Sequence, residues 1–124
     1  QLGLNTCWVA MTYSKVKSAY SVDAGEKLCI VISLGYGKNQ GVPHKSKSVD
    51  QVAKADGPMP DWFRSGVKAS LLAPTAMNQQ KYQFPLNGKI VSARARMGFY
   101  SKIDLGIVKY HFELGAGREN FSWI

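Results

Sequence analysis

The chain has 124 residues, of which 45% are hydrophobic and 11% aromatic, and its 16 Lys and Arg against 8 Asp and Glu give a formal net charge of +8. That composition can bury a core, which excludes a disordered tail, and the length is that of one domain or a piece of one. No apolar run approaches the roughly 20 residues of a membrane-spanning helix, and two cysteines make neither a disulfide framework nor a zinc site.

In chain order, "LGLNTCWVAM" (residues 2–11) has no helix-start signal before its apolar residues and reads as the end of a helix, with Leu2–Trp8 as its terminus. It has no basic segment and no small-residue cleavage site, so a signal peptide is not expected. Cys7 and Cys29 read as buried thiols in a reducing cytoplasm. "SKVKSAYSV" (14–22) is a predicted short helix with Val16 and Ala19 facing inward. "EKLCIVISLGYG" (26–37) is a continuous apolar run between glycines, the pattern of a buried central strand. A polar loop follows, and Ser48 is a good N-cap for a short helix over 48–56.

The clearest helix is "PMPDWFRSGVKASLLA" (58–73). Pro60 starts it, Asp61 suits its first turn, and Phe63, Val67 and Leu71 recur every four residues. "KYQFPLNGKIVSARA" predicts a hairpin, with Asn87-Gly88 as a type I′ turn and Ile90 opening the return strand. "SKIDLGIVKYHFELGAG" (101–117) is a helix apolar nearly all round. Ile103, Ile107 and Leu114 lie on one face and Leu105, Val108 and Phe112 on another, which predicts burial on two sides, as at a domain or subunit interface.

Between the clearest helix and the hairpin lies "APTAMNQQ" (73–80). It gathers Thr75, Asn78, Gln79 and Gln80 with no carboxylate, Cys or His. Such side chains supply neutral donors and acceptors, which suit a polar, uncharged partner. The basic residues are dense only in "GKNQGVPHKSKS" (37–48) and "ARAR" (93–96), and no aromatic ladder accompanies either, so a basic nucleic-acid-binding module is the weaker alternative. His44 and His111 are too isolated for a metal site. The two ends echo each other: Leu2-Gly3 and Leu114-Gly115 each open a small or polar stretch that closes on a Trp beside Val or Ile.

"GLNTCW", "LCIVISLGYG…PHKSKS", "APTAMNQQ" and "IDLGIVKYHFELGAG", in this order, resemble the nitroreductase superfamily. More narrowly, they resemble the subgroup in which two nitroreductase-like halves sit in one chain. Asn5 stands where that pattern has the second glycine of "GLGTCW", Gly37 replaces the proline of "GYP", and "HKSK" replaces an arginine-led pair. "APTAMNQQ" resembles "APSAxNxQPW", with Thr75 for Ser and Lys81 and Tyr82 near the usual Pro-Trp.

The resemblance implies an α+β fold, an antiparallel sheet packed with helices, in a fragment of a longer chain. Residues 1–47 would end a first half and residues 48–124 would form most of a second. It implies reduction of a nitro or quinone-type small-molecule acceptor through FMN, with NADH or NADPH as donor. The flavin carries hydride transfer, so no catalytic side chain is required. Thr75, Asn78 and Gln79 would face the neutral edge of the flavin ring, the backbone of Asn5, Thr6 and Cys7 would approach its reactive nitrogen, and Lys45 and Lys47 would meet its phosphate.

Each residue also has a plainer role: Asn78 bonding a turn, Gln79 and the two lysines solvated, and Cys7 and Trp8 in a core. A non-catalytic protein that keeps the fold and binds flavin weakly or not at all is the alternative. The expected state is a cytoplasmic homodimer, or association with a missing N-terminal part, with no membrane partner.

Overall fold

A computed structural model describes residues 2–14, 16 and 19–124, arranged as two compact units, Gln1–Pro43 and His44–Ile124. In the first unit, strand β1 (Asn5–Val9) pairs antiparallel with β2 (Val31–Gly35), from Asn5 opposite Gly35 to Val9 opposite Val31. The expected helix end over 2–8 is therefore a strand. Thr6, Trp8 and Val9 are β-branched or aromatic, and the pairing with β2 satisfies the backbone that a helix end would leave open.

The strand expected within 26–37 forms, but it is neither central nor buried. Its described partner is β1 alone, and Ile32 and Leu34 are 47% and 66% exposed. Cys7 and Cys29 are free and exposed, not buried. The helix predicted over 14–22 falls partly on residues 15, 17 and 18, which lie outside the described residues. Val16 and Ala19 are exposed and do not face inward.

Asn5 closes the first unit's turn. Its Oδ1 accepts the Gly37 backbone N–H at 2.8 Å, and its Nδ2 donates to Gln40 Oε1 at 3.3 Å. A Cβ on Gly37 would lie 2.8 Å from that same Oδ1. Two of the positions that depart from the resembled pattern are thus in contact: a proline at 37 would have no N–H to give Asn5.

In the second unit, Gln51 Oε1 accepts the Ser48 N–H at 2.9 Å and opens helix α1 (Val49–Val52). The helix predicted over 48–56 stops there. Ala53–Ala55 instead form β3, parallel to β4 (Tyr82–Asn87), and burial of both Val52 and Ala53 with ladder pairing outweighs local helix propensity. Helix α2 (Asp61–Ser70) follows Pro60 as expected and buries Phe63, Gly66, Val67 and Ser70.

The hairpin also forms, one residue later than predicted. Asn87 pairs with Ile90 of β5 (Ile90–Val91), so the turn is Gly88-Lys89. Positive φ falls on Gly88 and not on Lys89, the type II′ pattern. Strands β6 (Arg94–Ala95) and β7 (Ser122–Trp123) pair with β4 and β5. The class is α+β. The sheet is mixed rather than wholly antiparallel, since β3 joins β4 and β7 joins β5 in parallel.

Helix α3 (Ser101–Ala116) buries one stripe, Asp104, Val108, Phe112 and Ala116, each four residues apart. Within this chain its second face is open: Ile103 and Ile107 are half-buried, while Tyr110 and Leu114 are 63% and 67% exposed. Phe112 is the hub of the core, its ring 4.8 Å from Phe84, 5.2 Å from Phe121, 5.3 Å from Trp123 and 5.6 Å from Phe63.

Helices α2 and α3 touch through glycines. A Cβ on Gly115 would lie 2.5 Å from Ala69 Cβ and 2.7 Å from the Ser65 carbonyl oxygen. Gly115→Ala is therefore expected to lower the urea midpoint, although alanine favours a helix by about 1 kcal/mol. The overpacking costs roughly 1–3 kcal/mol against backbone that cannot step aside. Gly106→Ala, whose added methyl meets nothing within 4 Å, is expected to gain about 0.5–1 kcal/mol. Equal stabilisation of both variants would show that the helices part freely.

Candidate functional site

The amide-rich stretch after Pro74 is a turn held against strain. Met77, Asn78 and Gln80 have φ of 52°, 51° and 46°, and Tyr100 before α3 has 55°. For non-glycine residues this left-handed backbone is costly and persists only where its surroundings hold it. Around Asn78 and Gln80 those surroundings are largely side-chain amides.

Gln80, 2% exposed, is the clasp. Its Oε1 accepts the Lys47 N–H at 2.8 Å, and its Nε2 donates to the Lys45 carbonyl at 2.9 Å and to Asn78 Oδ1 at 2.7 Å. Asn78 Nδ2 donates to the same Lys45 carbonyl at 2.8 Å, and Thr75 Oγ1 accepts the Gln80 N–H at 3.1 Å. Lys47 Nζ donates to the carbonyls of Gln80 at 2.7 Å and Gln79 at 3.1 Å. Partial burial holds the Lys47 ammonium below the usual lysine range, and the charges of Arg96 and Lys81 push it the same way.

Gln79 is tied from another side. Its Nε2 donates to Asp104 Oδ2 at 2.8 Å and to the Phe99 carbonyl. Two acceptors around one amide nitrogen fix the flip of the side chain. Among the described residues no donor reaches Gln79 Oε1. It lies where a Cβ on Gly98 would come within 2.5 Å, so a side chain at 98 would displace it.

Asp104 sits in the first turn of α3, is 4% exposed, and also accepts the Ala76 N–H at 2.9 Å through Oδ1. It has no cation within salt-bridge distance among the described residues. The N-terminal end of the helix and the two N–H donors offset its charge.

Thr75, Asn78, Gln79, Lys45 and Lys47 are thus brought into one hydrogen-bonded cluster in the second unit. Asn5, Thr6 and Cys7 lie on β1 in the first unit, where Asn5 is occupied with Gly37 and Thr6 and Cys7 are exposed. Sequence reasoning missed Asp104 and the clasp role of Gln80. The available signal for Asp104 was a carboxylate four residues before Val108 on a face that is otherwise apolar. Among the described residues, no group of three His, Cys, Asp or Glu could hold a metal ion, and no helix is long and apolar enough to cross a membrane.

The mixed sheet and its helices have the fold of a solved relative. The chain superposes with a TM-score of 0.67 on the crystal structure of a "putative nitroreductase" from Thermotoga maritima, at 22% identity over 94% of this chain. It spans about half of that protein, 48% of its length. The model of the family described as "Putative TM nitroreductase" matches residues 1–116, and the chain belongs to that family. No match is found among curated proteins.

Proposed function

We propose that the chain serves FMN-dependent reduction of nitro or quinone-type acceptors, with NADH or NADPH as the electron donor. The observation that carries this reading is the fixed orientation of Gln79. Its nitrogen is held by Asp104 and the Phe99 carbonyl, so its carbonyl oxygen is the atom left to a ligand.

The residues fit the flavin's polar edge, where a ring N–H lies between two carbonyls. Gln79 Oε1 would accept from that N–H. Thr75 accepts from Gln80 and keeps its hydroxyl proton to donate. Asn78 would serve through its backbone and by shaping the turn, since both ends of its amide are engaged. Lys45, exposed, would reach a phosphate as a point charge with Lys47 behind it. When bound, the flavin supplies hydride chemistry, and these side chains orient it and tune how readily it is reduced.

Residues 1–47 and 48–124 would correspond to the end of one nitroreductase-like half and most of another. The free thiols of Cys7 and Cys29 suit a cytoplasmic setting, and exposed Tyr110 and Leu114 on α3 suit pairing with a second copy. The alternative, a non-catalytic member of the fold, is favoured by one observation: Asn78 and Gln80 spend their amides inside the protein.

Lys45→Ala with Lys47→Ala is expected to weaken FMN binding about tenfold or more and riboflavin binding much less, because only FMN carries the phosphate. Fluorescence titration of both ligands checks it. An equal loss for both would mean that the lysines act only through the loop that Lys47 ties to Gln79 and Gln80.

A further inference from the structure

The basic "ARAR" segment has no part in the flavin reading, yet the fold gives it a specific place. Strand β6 pairs antiparallel with β4, Tyr82 opposite Ala95 and Gln83 opposite Arg94. The ladder extends one step, with the Arg96 N–H donating to the Lys81 carbonyl at 2.9 Å. Lys81 therefore faces Arg96 directly. Alternation along a strand puts Lys81 and Gln83 on the face away from buried Tyr82 and Phe84, and places Arg94 and Arg96 on that same face.

Gly98, in the bend after Arg96, has no side chain, and the Lys81 stem lies over it: a Cβ there would be 2.7 Å from Lys81 Cδ. The Lys47 ammonium is anchored on the carbonyls of Gln79 and Gln80, the two residues before Lys81. Like charges directly opposed on a strand pair repel. Among the described residues no carboxylate lies within salt-bridge distance of Lys47, Lys81, Arg94 or Arg96.

We propose that Lys81, Arg94 and Arg96 on the open face of the β4–β6 pair, with Lys47 beside them, form a binding site for a phosphate group. A phosphate monoester relieves the repulsion and accepts paired donors from an arginine fork. The cations converge on one short face instead of tracking along a groove, which suits a compact phosphate better than a nucleic-acid backbone. The site rests on charge and register; it shares Lys47 with the flavin reading, but its pyrophosphate test does not require that reading to hold.

The test is calorimetric titration of the whole chain with inorganic pyrophosphate at low salt. It compares the parent chain with Lys81→Gln/Arg96→Gln and with a control of equal charge change, Lys54→Gln/Lys68→Gln on β3 and α2. Saturable binding that falls at least tenfold in the first variant and less than twofold in the control is expected. Two further arms identify the source: loss of FMN but not riboflavin affinity marks the flavin phosphate, and loss of NADPH but not NADH affinity marks the donor's extra phosphate. Pyrophosphate binding with no flavin binding at all would uphold this site and refute the flavin reading. Equal losses in the two variants, no saturable pyrophosphate binding, or tight oligonucleotide binding that alone depends on Lys81 and Arg96 would each overturn it.

Discussion

Phe112→Ala is expected to destabilise the second unit by roughly 3–5 kcal/mol, the range for removing a large aromatic side chain from a core. Phe112 is fully buried and its ring meets Phe63, Phe84, Phe121 and Trp123. Those partners come from α2, β4 and the C-terminal segment, so the cavity would open where the second unit's elements meet. A domain's whole stability is about 5–15 kcal/mol, and the variant should be largely unfolded at moderate urea. Phe99→Ala is the comparison: that ring is 54% exposed, and its loss is expected to cost well under half as much. Similar midpoints for the two variants would show that α3 does not anchor the core through Phe112.

Asp104→Ala is the second large effect. Two N–H donors, on Ala76 and Gln79, lose a buried carboxylate acceptor. Hydrogen bonds to charged groups contribute about 1.5–3 kcal/mol each, so a loss of roughly 3 kcal/mol is expected in denaturant titration. Asp104→Asn separates stability from orientation. It keeps the shape but can accept through only one oxygen, and its amide nitrogen must confront Ala76 N–H or Gln79 Nε2. If Gln79 flips in response, it presents a donor where it presented an acceptor. The expected result is weakened FMN and riboflavin binding alike, with a shifted flavin reduction potential in whatever remains bound. A variant less stable yet unchanged in flavin affinity and potential would make Asp104 structural only.

The second unit was more legible than the first because its signals are redundant. In α2 the proline start and the spacing of Phe63, Val67 and Leu71 agree, and the helix is where the pattern put it. Gly88 announced a hairpin, while the choice between Asn87-Gly88 and Gly88-Lys89 depends on which cross-strand pair closes, and that is not a local property. β3 was hidden because Ala53–Ala55 has no strand propensity of its own and takes its conformation from β4. β1 was misread as a helix end because a strand of five residues beside glycines carries little periodicity to distinguish the two.

At the site, the residue types were legible and their partners were not. The cluster Thr75, Asn78, Gln79 and Gln80 stood out by composition. Which amide is spent inside the protein and which is offered outward depends on Lys45, Lys47, Phe99 and Asp104, all more than 15 residues away along the chain. Asp104 carries in the sequence only the weak signal of a carboxylate within an apolar helix. Only the approach of the loop to α3 makes it the carboxylate that orients Gln79.

The proposed role of this amide cluster is to hold a flavin. Its most direct test is absorbance between roughly 350 and 500 nm of the chain after incubation with FMN and removal of free ligand by gel filtration. The expected result is a flavin band that travels with the protein, is bleached anaerobically by NADH or NADPH, and returns on adding a nitro or quinone acceptor. A folded chain that leaves the column without any flavin band, even after saturating FMN, would contradict it.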